Sequence, residues 1–144
     1  MRLWDRSEVT RAAPYLRSVI GSLREHWLEV FRAQRQMDLL AKHKAPARRQ
    51  QILDKETRAD ERQRAEVQFE EALEELTRVD VLLLDPVRGL ALIPFRQADD
   101  LAWYIFDHFA PHGVIGWRFH GDPIEECRPL TELKNGVAAD VVAS

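Results

Sequence analysis

Apolar side chains recur at every seventh position through the first forty residues, and this repeat constrains the fold more than any other feature of the sequence. One row comprises Val9, Leu16, Leu23, Val30 and Met37. A second row, offset by four residues and interrupted by Gln34, comprises Ala13, Ile20, Trp27 and Ala41. Rows at this spacing lie on one stripe of an α-helix and form a seam against which a second helix packs. The repeat therefore predicts a long helix with a coiled-coil-like seam.

Signals for a helix start and a helix end bound this first segment. Asp5 and Glu8 have the spacing of a capping box, in which each side chain accepts a hydrogen bond from the other residue's backbone N–H. Because proline removes one helical hydrogen bond, we expect the helix to bend at Pro14 rather than to begin there. Pro46 biases the residue before it away from helical geometry. The first helix is expected over about 6–43.

A second helix is expected over about 48–78, running back along the first. This segment is rich in Glu, Arg, Gln and Ala and contains neither Gly nor Pro. Its clear apolar stripe comprises Phe69, Ala72, Leu73, Leu76 and Val79. Residues 54–68 are mostly charged, so we expect Met37 and Leu40 to be poorly covered. That end of the hairpin is expected either to fray or to contact a partner.

After Asp80 the pattern changes from helical to extended. Asp85-Pro86-Val87-Arg88-Gly89 has the residues of a tight turn, with Pro at its second position and Gly able to take a positive φ. The expected strands, all within about 81–120, are Val81–Leu84, Leu90–Phe95, Leu101–Phe109 and Val114–His120. The sequence predicts an α+β fold: a long antiparallel helical hairpin followed by a small antiparallel β-meander of three to four strands. We expect one domain over residues 1–133 and a loosely ordered tail over 134–144.

The third expected strand is apolar on both faces. Alternation places Trp103, Ile105 and Phe109 on one face and Tyr104 and Phe106 on the other. A strand of this kind is covered on both faces. Since the hairpin can cover only one of them, the other face requires either the C-terminal segment or a second subunit. This strand is our first indication of a homodimer.

The totals exclude several classes of protein. Charged residues are 31% and hydrophobic residues 45%, which is typical of a globular chain, and no apolar run is long enough to cross a bilayer. The net charge of -3 provides no overall attraction to nucleic acid or to an anionic membrane. The charged residues that follow Met1 do not fit a secretory signal, and the lone Cys127 cannot form an internal disulfide. We therefore expect a cytoplasmic protein.

Three blocks resemble an uncharacterised bacterial family, known as domain of unknown function 2203, over most of the chain. Ser7-Glu8 and Ala13-Pro14-Tyr15-Leu16 are similar to the family's acidic start and the turn that leads into its long helix. Asp85-Pro86-Val87-Arg88-Gly89-Leu90-Ala91-Leu92-Ile93-Pro94 is similar to the family's Asp-Pro-x-x-Gly-Leu-Val-Asp-Phe-Pro. Trp117 and the later Arg128-Pro129-Leu130 resemble a closing Trp-His-Glu and Arg-Pro-Leu. The resemblance implies a fold and a bacterial origin, and no established activity.

The chain departs from this family at polar positions. Leu92 stands where the family has Asp, Arg118 where it has His, and Phe119 where it has Glu. If those polar groups form a site in the family, the resemblance implies that this chain lacks it.

No catalytic motif is present, so a candidate ligand site must be assembled from distant strands. Our candidate comprises Asp85, Trp103, Trp117, Arg118 and Arg128. Aromatic walls and a guanidinium group could hold an anion or a planar ligand there. The alternative is that both Trp residues belong to the core and that the Arg residues pair with local carboxylates.

Two further groups of residues invite a binding hypothesis. The hairpin tip carries Lys42, Lys44, Arg48 and Arg49, a basic cluster of the kind that contacts phosphates, but no aromatic residue is interleaved to stack on bases. His108, His112 and His120 lie close in sequence to Asp107, Asp122 and Cys127. Strand geometry places His108 and His120 more than about 10 Å apart. We therefore expect no metal site and no cofactor.

Three functions remain open from the sequence. The leading one is a non-catalytic interaction or scaffold protein, expected to be a homodimer or to bind a protein partner. The second is a small anionic-ligand binder or enzyme with its pocket at the aromatic and arginine cluster. The third is association with nucleic acid or the ribosome through the basic tip, which the net charge disfavours. No membrane association is expected.

Overall fold

The computed structural model describes residues 1–42 and 49–133. Two helices, α1 (Arg6–Ala41) and α2 (Arg49–Arg78), precede four strands. The strands are β1 (Leu82–Asp85), β2 (Leu90–Gln97), β3 (Asp100–Asp107) and β4 (Val114–Phe119), and they form one antiparallel sheet in the order β1-β2-β3-β4. The predicted α+β fold, a helical hairpin followed by a β-meander, is confirmed. The predicted tail, 134–144, and most of the predicted tip, 43–48, lie outside the described residues.

The start of α1 is the predicted capping box. The Asp5 side chain accepts from the backbone N–H of Glu8 at 2.7 Å, and the Glu8 side chain accepts from the backbone N–H of Asp5 at 3.0 Å. From Arg6 the helix continues through Pro14 to Ala41. The residues before Pro14 are therefore part of α1 rather than a separate turn.

The predicted seam is buried along only half of its length. Val9, Leu16, Ile20 and Leu23 are buried, and they pack with Leu76 of α2 and with one face of the sheet. Farther along α1, Val30 and Met37 are only half-buried. Within the described residues, no hydrogen bond or ring contact joins α1 to the sheet beyond Arg24, whose Nε donates to the Val87 carbonyl at 2.9 Å. The sheet thus covers the first half of the hairpin, and the second half extends past it.

The sheet has a buried face on each side. Ala91, Ile93, Phe95, Ala102, Tyr104, Phe106 and Trp117 face the helices. Leu92, Trp103 and Ile105 form a second cluster on the opposite face, with between 4% and 6% of their surface exposed. This second face is thus already buried in the single chain, and it does not require a second subunit.

One predicted member of that face is placed differently. Phe109 lies beyond the end of β3 and is 62% exposed, because the chain turns away from the sheet after Asp107. The Asp107 side chain accepts from the Phe109 backbone N–H at 2.9 Å and holds the turn in place. The prediction that Phe109 shares a face with Trp103 and Ile105 is therefore wrong.

The N-terminal segment covers the part of the β2 edge that β1 leaves unpaired. β1 pairs only with the beginning of β2, so the outer side of Pro94 has no strand beside it. The Trp4 backbone N–H donates to the Pro94 carbonyl at 2.8 Å, and the Trp4 indole donates to the Val79 carbonyl at 3.0 Å. Trp4 is 5% exposed and belongs to the main core. Trp4 therefore links the residue after α2, through its indole, to β2, through its backbone N–H.

Candidate functional site

The two tryptophans of the predicted ligand pocket lie on opposite faces of the sheet. Trp103 pairs with Arg118 across β3 and β4, whereas Trp117 pairs with Tyr104. Since neighbouring residues of a strand point to opposite faces, Trp117 faces the helices and Trp103 faces away from them. Both indoles are buried, with 4% and 3% exposure. They cannot form two walls of one cavity.

Asp85 is also remote from the other members of this set. It ends β1, at the sheet edge opposite β4. Its side chain accepts from the backbone N–H groups of Val87 and Arg88 at 3.0 and 3.1 Å, which stabilises the turn between β1 and β2. The five predicted residues do not converge. The sheet lies between the two tryptophans, and strands β2 and β3 lie between Asp85 and β4.

Two of the predicted residues instead organise the segment after β4 through Asp122. Arg128 donates two hydrogen bonds to the Asp122 carboxylate, at 2.7 and 3.0 Å, and the Phe119 backbone donates a third at 2.9 Å. The Arg128 guanidinium holds the pKa of Asp122 at about 2, against an ordinary value of 3.8. The same guanidinium lies 4.9 Å from the Phe119 ring and 5.4 Å from the Trp117 ring. Arg128 therefore pairs with a local carboxylate, which is the alternative to ligand binding that the sequence left open.

Arg118 is buried on the other face, beside Trp103. It is 7% exposed, and its Nη2 donates to the Asp122 backbone carbonyl. Its Nε has no hydrogen-bond partner in the part of the chain that the structure describes. The Trp103 indole donates to Nδ1 of His120 at 3.1 Å, so the ring proton of a neutral His120 is on Nε2. These contacts tie the loop after β4 to the sheet.

The other predicted binding residues are only partly described. Lys42 and Arg49 are exposed at the ends of α1 and α2. Lys44 and Arg48 lie outside the described residues. In the described ranges, no group of three His, Cys, Asp or Glu side chains is placed to hold a metal ion. Among the same residues, no helix is long and apolar enough to cross a membrane.

Three exposed apolar side chains of α1 lie where the helix leaves the sheet. We define the α1 ridge as Trp27, Phe31 and Leu39, which are 37%, 62% and 59% exposed. At 100° per residue, Phe31 is rotated by about 40° from Trp27 around the helix axis, and Leu39 by about 120°. The Trp27 ring still contacts Phe69 of α2, with centroids 5.4 Å apart. The ridge therefore extends from the seam onto the surface that the sheet no longer covers.

Two loop residues extend this apolar surface onto the sheet. We define the ledge as Val87 and Phe109, which are 46% and 62% exposed. Arg24 joins the ledge to α1, because it donates to the Val87 carbonyl and its guanidinium carbon lies 5.0 Å from the Phe109 ring. Arg24 precedes Phe31 by seven residues, so both lie on nearly the same side of α1.

The heptad repeat does not predict most of this surface. It places Trp27 in the seam, and Phe31 and Leu39 belong to neither row. The signal was present, since large apolar side chains off the seam of a long helix are not needed for a two-helix contact. No family model, no curated protein and no solved structure matches the chain. A functional proposal must therefore be argued from the surface of this chain itself.

Proposed function

We propose that this chain is an interaction protein that acts as a two-fold homodimer, with the α1 ridge at the centre of the interface. The observation that carries this proposal is the exposure of Phe31, a large apolar residue of α1 with 62% of its surface accessible to solvent. Trp27, Leu39, Val87 and Phe109 extend the apolar surface on either side of it. Contiguous apolar patches of this kind are typical of contact sites for other proteins.

The order of charges along α1 favours a second copy as the partner. Arg24 and Asp38 stand seven residues before and seven residues after Phe31. Positions seven apart differ by only about 20° around a helix, so all three side chains lie on one side of α1. A two-fold axis at Phe31 would pack two α1 helices antiparallel and place each Arg24 opposite the other copy's Asp38. This self-complementarity is what an isologous interface requires.

The same arrangement would cover the ledge. An antiparallel partner helix centred at Phe31 would bring its Leu39 to the level of Leu23 and Arg24, where Val87 and Phe109 are exposed. Aromatic side chains at the centre of an interface often contribute most of the binding free energy. Phe31 occupies that central position, with charged side chains at the rim.

The proposal is tested by the molar mass of the chain in solution. Multi-angle light scattering is expected to show a dimer at micromolar concentration, and Phe31→Glu is expected to shift the chain to monomer because it places two carboxylates at the two-fold axis. Ile124→Glu is the matched control, since Ile124 is 65% exposed on a loop outside the ridge and ledge. A wild-type chain that is strictly monomeric at these concentrations would contradict the proposal.

A charge exchange tests the geometry of the dimer. Arg24→Glu and Asp38→Arg are each expected to weaken association, because each puts like charges opposite one another across the axis. The double variant restores opposite charges and is expected to recover most of the lost affinity in sedimentation equilibrium. Equal weakening in the double variant and the single variants would exclude the proposed antiparallel register.

A further inference from the structure

A cleft lies between the first third of α1 and the loop that joins β3 to β4, away from the ridge. Its volume is about 380 Å³, which is in the range of small-molecule sites. Basic and apolar side chains line most of it, together with the hydroxyl of Thr10, and they include Arg6, Val9, Ala13, Arg17, His112 and Val114. No carboxylate is among its lining residues in the described part of the chain.

The two arginines of this cleft have no acidic partner. Within residues 1–42 and 49–133, no salt bridge involves Arg6 or Arg17, although eight ion pairs occur among the other described side chains. The nearby acidic side chain of Glu8 already accepts from Arg2 and from the Asp5 backbone. Two guanidinium groups without an ion pair beside an open cleft favour the approach of anions.

Arg17 is held in place yet incompletely hydrogen-bonded. Its Nη2 donates to the carbonyls of Ala110 and Pro111 at 2.7 and 3.1 Å, which fixes the guanidinium against the β3–β4 loop. Its Nε is buried and has no hydrogen-bond partner among the described residues. A buried donor without an acceptor in a native protein requires an explanation, such as an anion or a water molecule that completes the site. Nη1 has donors without an acceptor among residues 1–42 and 49–133, and a ligand could accept from it.

The spacing of the cations indicates the shape of the ligand. Arg6 and Arg17 are eleven residues apart on one helix, or about 16 Å along its axis. Arg6 packs at one end, with its guanidinium carbon 5.9 Å from the Tyr104 ring, and Arg17 packs at the other against the loop that carries His112. Val9, Ala13 and Val114 line the space between these ends. We propose that the cleft binds a small elongated dianion, with one anionic group at Arg6, the other at Arg17 and His112, and an apolar middle.

A series of straight-chain dicarboxylates tests this proposal by isothermal titration calorimetry at neutral pH. We expect suberate to bind more tightly than succinate, because succinate is too short to reach both ends of the cleft. We also expect suberate to bind at least about tenfold more tightly than octanoate, which has the same length but only one carboxylate. Arg6→Gln is expected to reduce suberate binding to the level of octanoate. Arg11→Gln is the matched control, because Arg11 is an exposed arginine of α1 outside the cleft lining.

The outcomes separate this site from the proposed dimer. The Arg6 side chain makes no described hydrogen bond, so Arg6→Gln is expected to leave both the melting temperature and the molar mass unchanged. Phe31→Glu, in contrast, is expected to change the molar mass and leave suberate binding intact. Equal affinities for suberate and octanoate, no heat with any dicarboxylate, or full binding by Arg6→Gln would each overturn the proposal. His112→Gln provides a second variant at the opposite end and is expected to weaken suberate more than succinate.

Discussion

A single carboxylate, that of Asp122, organises the chain after β4. It accepts from the Phe119 backbone and from two nitrogens of Arg128, and these contacts bring Arg128 back beside the sheet edge. There, Trp117 and Arg128 exchange two backbone hydrogen bonds, at 3.1 and 2.7 Å, like two residues of adjacent antiparallel strands. The loop is thereby fixed to β4 from both ends. We therefore expect the loop to be more stable when the Asp122 carboxylate is ionised than when it is protonated.

We predict that part of the free energy of unfolding is lost in acid because of this carboxylate. Its folded-state pKa of about 2 is below its ordinary value of 3.8, so its contribution is complete above the unfolded pKa and disappears as the pH falls from about 4 toward 2. Urea denaturation of the wild type and of Asp122→Asn should therefore show a stability difference that shrinks over this range. A difference that stays constant from about pH 5 to pH 2 would contradict the prediction.

At the scale of elements, the N-terminal segment completes a sheet edge that β1 leaves open. Pro94 in β2 has no backbone N–H to donate, and its carbonyl is used by Trp4 on the side where β1 has already ended. The Arg2 backbone also donates to the Asp80 side chain at 2.7 Å. Arg2 and Trp4 therefore act as structural residues, although the segment before α1 has no regular secondary structure.

We predict that Trp4→Ala lowers the free energy of unfolding by about 3 to 5 kcal/mol, because it removes a large buried side chain and leaves a cavity between α2 and β2. Equilibrium urea denaturation measures this change. Leu3→Ala is the neighbouring control. Leu3 is 46% exposed, so its replacement is expected to change stability by less than about 0.5 kcal/mol. Similar losses in the two variants would show that Trp4 is not the anchor.

Local signals in the sequence predicted the elements well. The capping box marked the start of α1, and the Asp-Pro-Val-Arg-Gly turn separated β1 from β2, because both depend on residues close together in the chain. The faces of β3 followed from simple alternation as far as Phe106. Phe109 was misplaced because strand length is set by pairing, and β4 pairs with β3 only as far as Phe106.

The predicted tryptophan pocket and the cleft beside Arg17 both depend on contacts between residues far apart in the chain, and local sequence patterns do not predict such contacts. Trp103 and Trp117 could be assigned to opposite faces only once the pairing of β3 with β4 was known. Arg17 meets the carbonyl of Ala110 across 93 positions of sequence. The cleft beside it therefore had no counterpart in the sequence analysis.

At the scale of the whole molecule, the hairpin is longer than the sheet that supports it. The 36 residues of α1 span about 54 Å, and their described hydrogen bonds to the sheet region end at Arg24. Beyond that point, α1 packs against a part of α2 in which Arg58, Glu61, Arg62 and Glu66 form intrahelical ion pairs. Among the described residues of this outer half, the buried ones are the small side chains Ala33 and Ala65. Its packing therefore depends on little apolar contact.

We predict that amide hydrogens of residues 28–40 exchange faster than those of residues 12–23 when the protein is dilute, because fewer buried contacts oppose local opening there. Raising the protein concentration should protect residues 28–40 selectively, since the proposed dimer covers this segment. Hydrogen exchange measured by mass spectrometry at two concentrations tests both statements. In Phe31→Glu the concentration dependence should vanish, and its persistence in that variant would contradict the proposed interface.

The contacts of Trp4 also impose an order on folding during synthesis. Its two carbonyl partners, Val79 and Pro94, are translated 75 and 90 residues after it. At about 5 to 20 residues per second, the ribosome needs roughly 5 to 18 seconds to add those 90 residues. Until these residues are synthesised, the indole lacks its acceptor, Val79, and the Trp4 backbone N–H lacks its acceptor, Pro94. The nascent chain therefore carries an incompletely packed aromatic side chain that chaperones are suited to shield.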